Sequence, residues 1–155
     1  MKKLRHPHRV AGAAIAMTIL SGVSPLSHAQ LGATGRTADA SDGAVVNRSG
    51  SGLVTYRETT DAHGVAVRQY VDSTGAVYAV SWRGPAMPDV QALLGAYFQR
   101  FREAANASAG DAGLHTSRVM DGELVVENRT RLREFSGRAW LASALPPAVS
   151  AADIE

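Results

Sequence analysis

The chain has 155 residues, 45% of them apolar, with sixteen basic residues against fourteen carboxylates and a formal net charge of +2. Its length suits one principal domain. It contains no cysteine, which excludes disulfides, thiol chemistry, cysteine-ligated metals and a lipidated N-terminal cysteine.

Residues 1–29 read as a secretory signal peptide. Lys2, Lys3, Arg5 and Arg9 form a positive n-region, Val10 to Val23 is apolar, and Ser27-His28-Ala29 supplies the small residues a signal peptidase requires. The apolar run is short of the roughly 20 residues that span a bilayer. The expected cut lies between Ala29 and Gln30, which places the product in the periplasm or outside the cell, with no membrane span. Cleavage removes four basic residues and leaves twelve arginines against fourteen carboxylates, a net charge of −2. The basic character belongs to the export signal and gives no support for nucleic-acid binding.

Residues 30–52 are rich in Gly, Ala, Ser, Thr and Asp, too poor in apolar surface to offset the entropy of ordering. They are expected to form a flexible leader, with Ala44–Val46 as an alternative edge strand. The expected domain spans residues 53–147. Leu53–Thr60, Val65–Val71 and Ala76–Trp82 are β-prone runs separated by Asp61-Ala62-His63-Gly64 and Asp72-Ser73-Thr74-Gly75. Aspartate opens such turns by bonding its own backbone and glycine closes them with positive φ. Three strands of an antiparallel meander follow.

After a connector with Pro85 and Pro88, residues Val90, Leu93, Leu94, Tyr97, Phe98 and Phe101 fall on one face of a helix. Asp89 suits its first turn. His115–Met120 and Glu123–Asn128 flank Asp121-Gly122, which predicts a type I′ hairpin. Arg131–Leu141 is a last strand with a bulge at Ser136-Gly137. Pro146-Pro147 closes the ordered part, and residues 148–155 are expected to be a loose tail. The predicted fold class is α+β, an antiparallel meander sheet of three strands, helix and three strands, covered by one long amphipathic helix.

Few residues point to chemistry. His63 sits in a turn and His115 begins a strand, and no serine lies in a nucleophile elbow. Spaced metal ligands, a phosphate loop and a dinucleotide fingerprint are missing from the sequence, so no catalytic residue, metal site or cofactor is assigned. Arg129, Arg131 and Arg133 alternate, and in an extended chain would share one face. They read either as a stripe for an anionic ligand or as a solvent face opposite Glu123 and Glu127. Trp82 and Trp140, each beside an arginine, read first as core and second as interface anchors. The Asn-x-Ser/Thr triplets at Asn47, Asn106 and Asn128 matter only in a eukaryotic secreted chain.

Tyr70-Val71-Asp72 through Gly75, Tyr78–Trp82, Gly84-Pro85, Met87-Pro88-Asp89 and Leu93-Leu94-Gly95-x-Tyr97-Phe98 resemble segments of a known family. So do Val126-Glu127 to Trp140-Leu141 and Leu145-Pro146-Pro147. Together they resemble the exported proteobacterial proteins of domain of unknown function 2844, over nearly the whole chain from Leu53. The resemblance implies export and carries no catalytic or ligand-binding residue. The functional expectation is a non-enzymatic domain that binds another envelope or secreted component. The alternatives are a small hydrolase or transferase using His115, and a carrier of a small apolar ligand.

Overall fold

The computed structural model describes residues 30–34, 45–48, 52, 54–108, 113 and 115–155. The signal-peptide reading, Ala29 included, and residues 35–44 and 49–51 of the leader lie outside them. Strands β1 (Val45–Arg48), β2 (Thr55–Thr60), β3 (Ala66–Val71), β4 (Val77–Gly84), β5 (Thr116–Asp121), β6 (Leu124–Arg131) and β7 (Glu134–Leu141) form one antiparallel sheet. Their spatial order is β1-β2-β3-β4-β7-β6-β5. The single meander expected from sequence is therefore two meanders. The second starts at the far edge and returns so that β7 pairs with β4.

The two Asp-x-x-Gly turns share one bonding scheme. Asp61 Oδ1 accepts the N–H groups of His63 and Val65, and Asp72 Oδ1 accepts those of Thr74 and Ala76. Gly64 and Gly75 take positive φ, as the turn requires. At β5–β6 the register pairs Asp121 with Leu124. The loop is thus Gly122-Glu123, one residue later than expected. Gly122 alone has positive φ (58°), which is the type II′ arrangement and not type I′. The β6–β7 loop is Leu132-Arg133, with Leu132 at φ 48°. Ser136-Gly137 is no bulge, because β6 and β7 pair without interruption from Leu124↔Leu141 to Arg131↔Glu134. The irregularity falls at Tyr70/Val71, where β3 meets β4.

Asp89 caps the helical region by accepting the Ala92 N–H at 2.9 Å. The expected single helix is broken into α1 (Val90–Leu94), a 3₁₀ turn at Gly95–Tyr97, and α2 (Phe98–Ala107). The cause is the segment at Gln30. Leu31 N–H donates to the Leu93 carbonyl at 2.9 Å, taking an acceptor that a continuous helix would use itself. Gly95 turns beneath Gln30 with φ 52°, a conformation that costs a side chain but not glycine.

Each sheet face carries its own apolar cluster. Val67, Val80, Trp82, Val126, Ala139 and Leu141 bury with Leu31, Leu93 and Leu94 on one face, against Tyr97, Phe98 and Phe101. Tyr70, Tyr78, Ala79, Val125 and Trp140 bury with Val54, Val149 and Ile154 on the other. β4 consequently has six consecutive buried residues, Val77 to Trp82, as a strand covered on both sides must.

Two expectations about the ends need correction. Part of the leader is built into the fold. Leu31 is buried, Gly32 and Ala33 exchange backbone hydrogen bonds with Val77, and β1 pairs with β2. The tail is packed as well. Ser150 and Asp153 form a capping box around the 3₁₀ turn Ala151–Asp153, and Ile154 is fully buried. Composition concealed both segments, because a few well-placed apolar residues, Leu31, Val149 and Ile154, do the anchoring. Among the described residues, no helix is long and apolar enough to cross a membrane.

Candidate functional site

The face that carries Tyr70 and Trp140 is divided between an apolar and a polar half. Residues 142–155 lie over the apolar half. Along its margin six strands contribute one residue each to a continuous cross-strand ladder. Glu58, Arg68, Ser81, Arg138, Glu127 and Arg118 are successive register partners from β2 through β3, β4, β7 and β6 to β5. Each glutamate in the row meets an arginine, and Ser81 separates Arg68 from Arg138. Arg68 Nε lies 2.6 Å from Glu58 Oε2, Arg138 Nη2 lies 2.7 Å from Glu127 Oε2, and Arg118 Nη1 lies 3.3 Å from Glu127 Oε1. The hydrogen bond to Glu58 raises the pKa of the Arg68 guanidinium.

The ladder also holds the C-terminal segment. The Glu155 main-chain oxygen accepts from Tyr70 Oη (2.6 Å), Ser81 Oγ (2.7 Å) and Arg68 Nη1 (3.0 Å). Glu155 N–H donates back to Tyr70 Oη at 2.9 Å. Arg138 donates to the carbonyls of Ala151 (2.6 Å) and Ile154 (3.1 Å), and its guanidinium lies over the Trp140 ring at 5.4 Å. Behind this seam, burial pushes the Tyr78 hydroxyl up to about 12, so it stays neutral at any physiological pH.

On the other side of the ladder no described residue covers the sheet. Ala66, Arg83, Ser136, Arg129 and Thr116 form the next cross-strand row on the same face. This row and the ladder bound a groove of about 1140 Å³, lined by five arginines against Glu58, Glu127 and Glu155. The backbone at Trp82, Gly137 and Asn128 contributes to its floor. Trp82 and Gly137 are register partners that face away from the groove, and on that opposite side the Trp82 ring takes the place a Gly137 side chain would fill.

The residues singled out from sequence fare unevenly. Trp82 and Trp140 are both core, on opposite faces. The alternating arginines do not form a stripe. Arg129 is in β6, Arg131 ends it, and Arg133 lies in the turn. Glu127 shares their strand instead of facing them, and it pairs with Arg138 and Arg118. His63 is at the β2–β3 turn and His115 precedes β5. At about 4.8 Å per strand they stand roughly 20 Å apart, and neither lines the groove. Sequence reading missed Glu58, Arg68, Ser81 and Arg118, and it noted Arg83 and Arg138 only as neighbours of the two tryptophans. Their period-2 placement was visible, but the β4–β7 pairing that aligns them was not.

Among the described residues, no group of three His, Asp or Glu side chains is placed to hold a metal ion. A family model described as a protein of unknown function matches residues 27–154. No curated protein and no solved structure matches the chain.

Proposed function

Because the chain belongs to the DUF2844 family, which carries no assigned activity, we propose from its own geometry that it is an exported, non-enzymatic binding protein. Its binding surface is the open polar half of the second sheet face, and its ligand is an anionic component of the cell envelope. The observation that carries this reading is the groove beside the ladder, where arginines outnumber glutamates five to three. Such a surplus attracts anions over about 8–10 Å at physiological salt.

Other features support binding over catalysis. Glu58 and Glu127 are committed to ion pairs, which leaves neither free to take a proton from a nucleophile. The Ser81 hydroxyl is occupied by Glu155. An apolar-ligand carrier is disfavoured because both apolar surfaces are filled by the chain itself. Export rests on the n-region, apolar run and Ser27-His28-Ala29. It is supported by the family match, which begins at residue 27 and leaves the n-region and apolar run outside.

Co-sedimentation of the purified protein with cell-wall sacculi and with anionic vesicles tests the surface. Ser136→Trp fills the floor of the groove and should abolish retention, while Arg133→Ala should leave it intact. Equal retention of Ser136→Trp and wild type, or no retention of either, overturns the reading. N-terminal sequencing of the exported product should begin at Gln30.

A further inference from the structure

The open row places three donors side by side. Arg83 on β4 is the register partner of Ser136 on β7, and Ser136 is the register partner of Arg129 on β6. The two arginines therefore flank the serine at one strand spacing each, about 4.8 Å to either side. Both guanidinium groups can reach over the hydroxyl between them. We propose that Arg83, Ser136 and Arg129 form a binding site for a phosphoryl group, carried by a phosphate ester or as free phosphate. The assignment rests on the reading of this face as the binding surface.

Geometry favours phosphoryl over carboxylate. A planar carboxylate holds all its acceptor directions close to one plane, so it is best met by guanidinium groups in that plane. Two opposed forks with a hydroxyl beneath them present donors around a point, which suits a tetrahedral oxyanion with three or four oxygens. The neighbouring acid does not compete, because Glu127 already uses both oxygens on Arg138 and Arg118. Arg83 has a partner in Glu134 at 3.4 Å, but both side chains are more than half exposed, and such a pair exchanges readily for a better ligand. Arg129 is exposed and makes no ion pair among the described residues. Thr116, the next partner of Arg129 in the row, offers a further hydroxyl at the rim.

The test is an NMR titration of the ¹⁵N-labelled protein with inorganic phosphate, at ionic strength held constant with chloride. Saturable shifts are expected at the Nε–H groups of Arg83 and Arg129 and at the Ser136 amide. Arg83→Gln and Arg129→Gln should each weaken binding about tenfold, the loss of one charge-assisted hydrogen-bonded contact. Arg133→Gln should not change it. Competition by phosphatidylglycerol vesicles, and not by phosphatidylcholine vesicles, assigns the group to a lipid headgroup. Binding of free phosphate without vesicle competition assigns it to a soluble ester or phosphate itself. Shifts that grow linearly without saturation, or affinity unchanged in Arg129→Gln, overturn the phosphoryl site. If phosphate fails while Ser136→Trp still abolishes retention on sacculi, the surface reading stands without it. If that retention is also missing, both fall.

Discussion

Gly137 is the register partner of Trp82, and a Cβ at Gly137 would sit 2.6 Å from the indole Cε2 and 2.7 Å from the Glu127 carbonyl oxygen. The glycine exists because the ring occupies the place of its side chain. Gly137→Ala must push either a buried indole or the β6 backbone, and overpacking of this kind costs about 1–3 kcal/mol. A lower urea midpoint with an unchanged denaturant slope is the expected result. Combining it with Trp82→Leu should recover part of the loss in a double-mutant cycle.

Leu132 offers the opposite opportunity. It is fully exposed and holds φ 48° in the β6–β7 loop, a region that strains a branched side chain. Leu132→Gly removes the strain and no buried contact. Thermal unfolding should show stabilisation of up to about 1 kcal/mol, the strain relieved less the extra freedom of glycine in the unfolded chain.

Acid should act first through the turns and the C-terminal box. Backbone and side-chain hydrogen bonds hold three carboxyls below the usual carboxylate range. The main contributors are the Val65 N–H at Asp61, the Thr74 hydroxyl at Asp72 and the Ser150 N–H at Asp153. Because these folded-state values are depressed, their contribution is complete above the unfolded value near pH 4. It is lost as pH falls through the lower folded value. Urea midpoints measured from pH 6 downward should therefore decline below about pH 4 in wild type. The decline should be shallower in Asp72→Asn.

The C-terminal segment should come loose when its anchors are removed. Ile154 is fully buried among Tyr70, Tyr78 and Trp140, so Ile154→Ala should cost about 2–5 kcal/mol. Arg138→Ala removes the donors to Ala151 and Ile154 and leaves Glu127 with Arg118 alone. Hydrogen exchange should then accelerate at the Glu155 amide, while amides of α2, on the opposite face, keep their protection.

What sequence discloses here is local. The aspartate turns, the Asp89 cap, the strand runs and the apolar helix face follow from residues a few positions apart, and each is where its chemistry puts it. What it conceals depends on distant partners. The break at Gly95 needs Leu31 to take the Leu93 carbonyl. Burial of Val149 and Ile154 needs the Tyr70 and Trp140 side chains to share a face. The ladder needs Ser81 to meet Arg138, and no periodicity in β4 or β7 announces that pairing. The error over Arg131 and Arg133 has the same root. A two-residue turn at Leu132 divided what the alternation suggested was one strand.

The β4–β7 seam has a consequence for how the chain comes together. Ala79 pairs with Trp140, sixty-one positions later (79 to 140), whereas every other strand pairing joins chain neighbours. Each half can assemble through short hairpins, which close in microseconds, but their union requires a long loop to be closed first. Ser81 and Arg138 sit in that seam. The charged row is continuous only after the slowest encounter has succeeded, and neither half folded alone presents it whole.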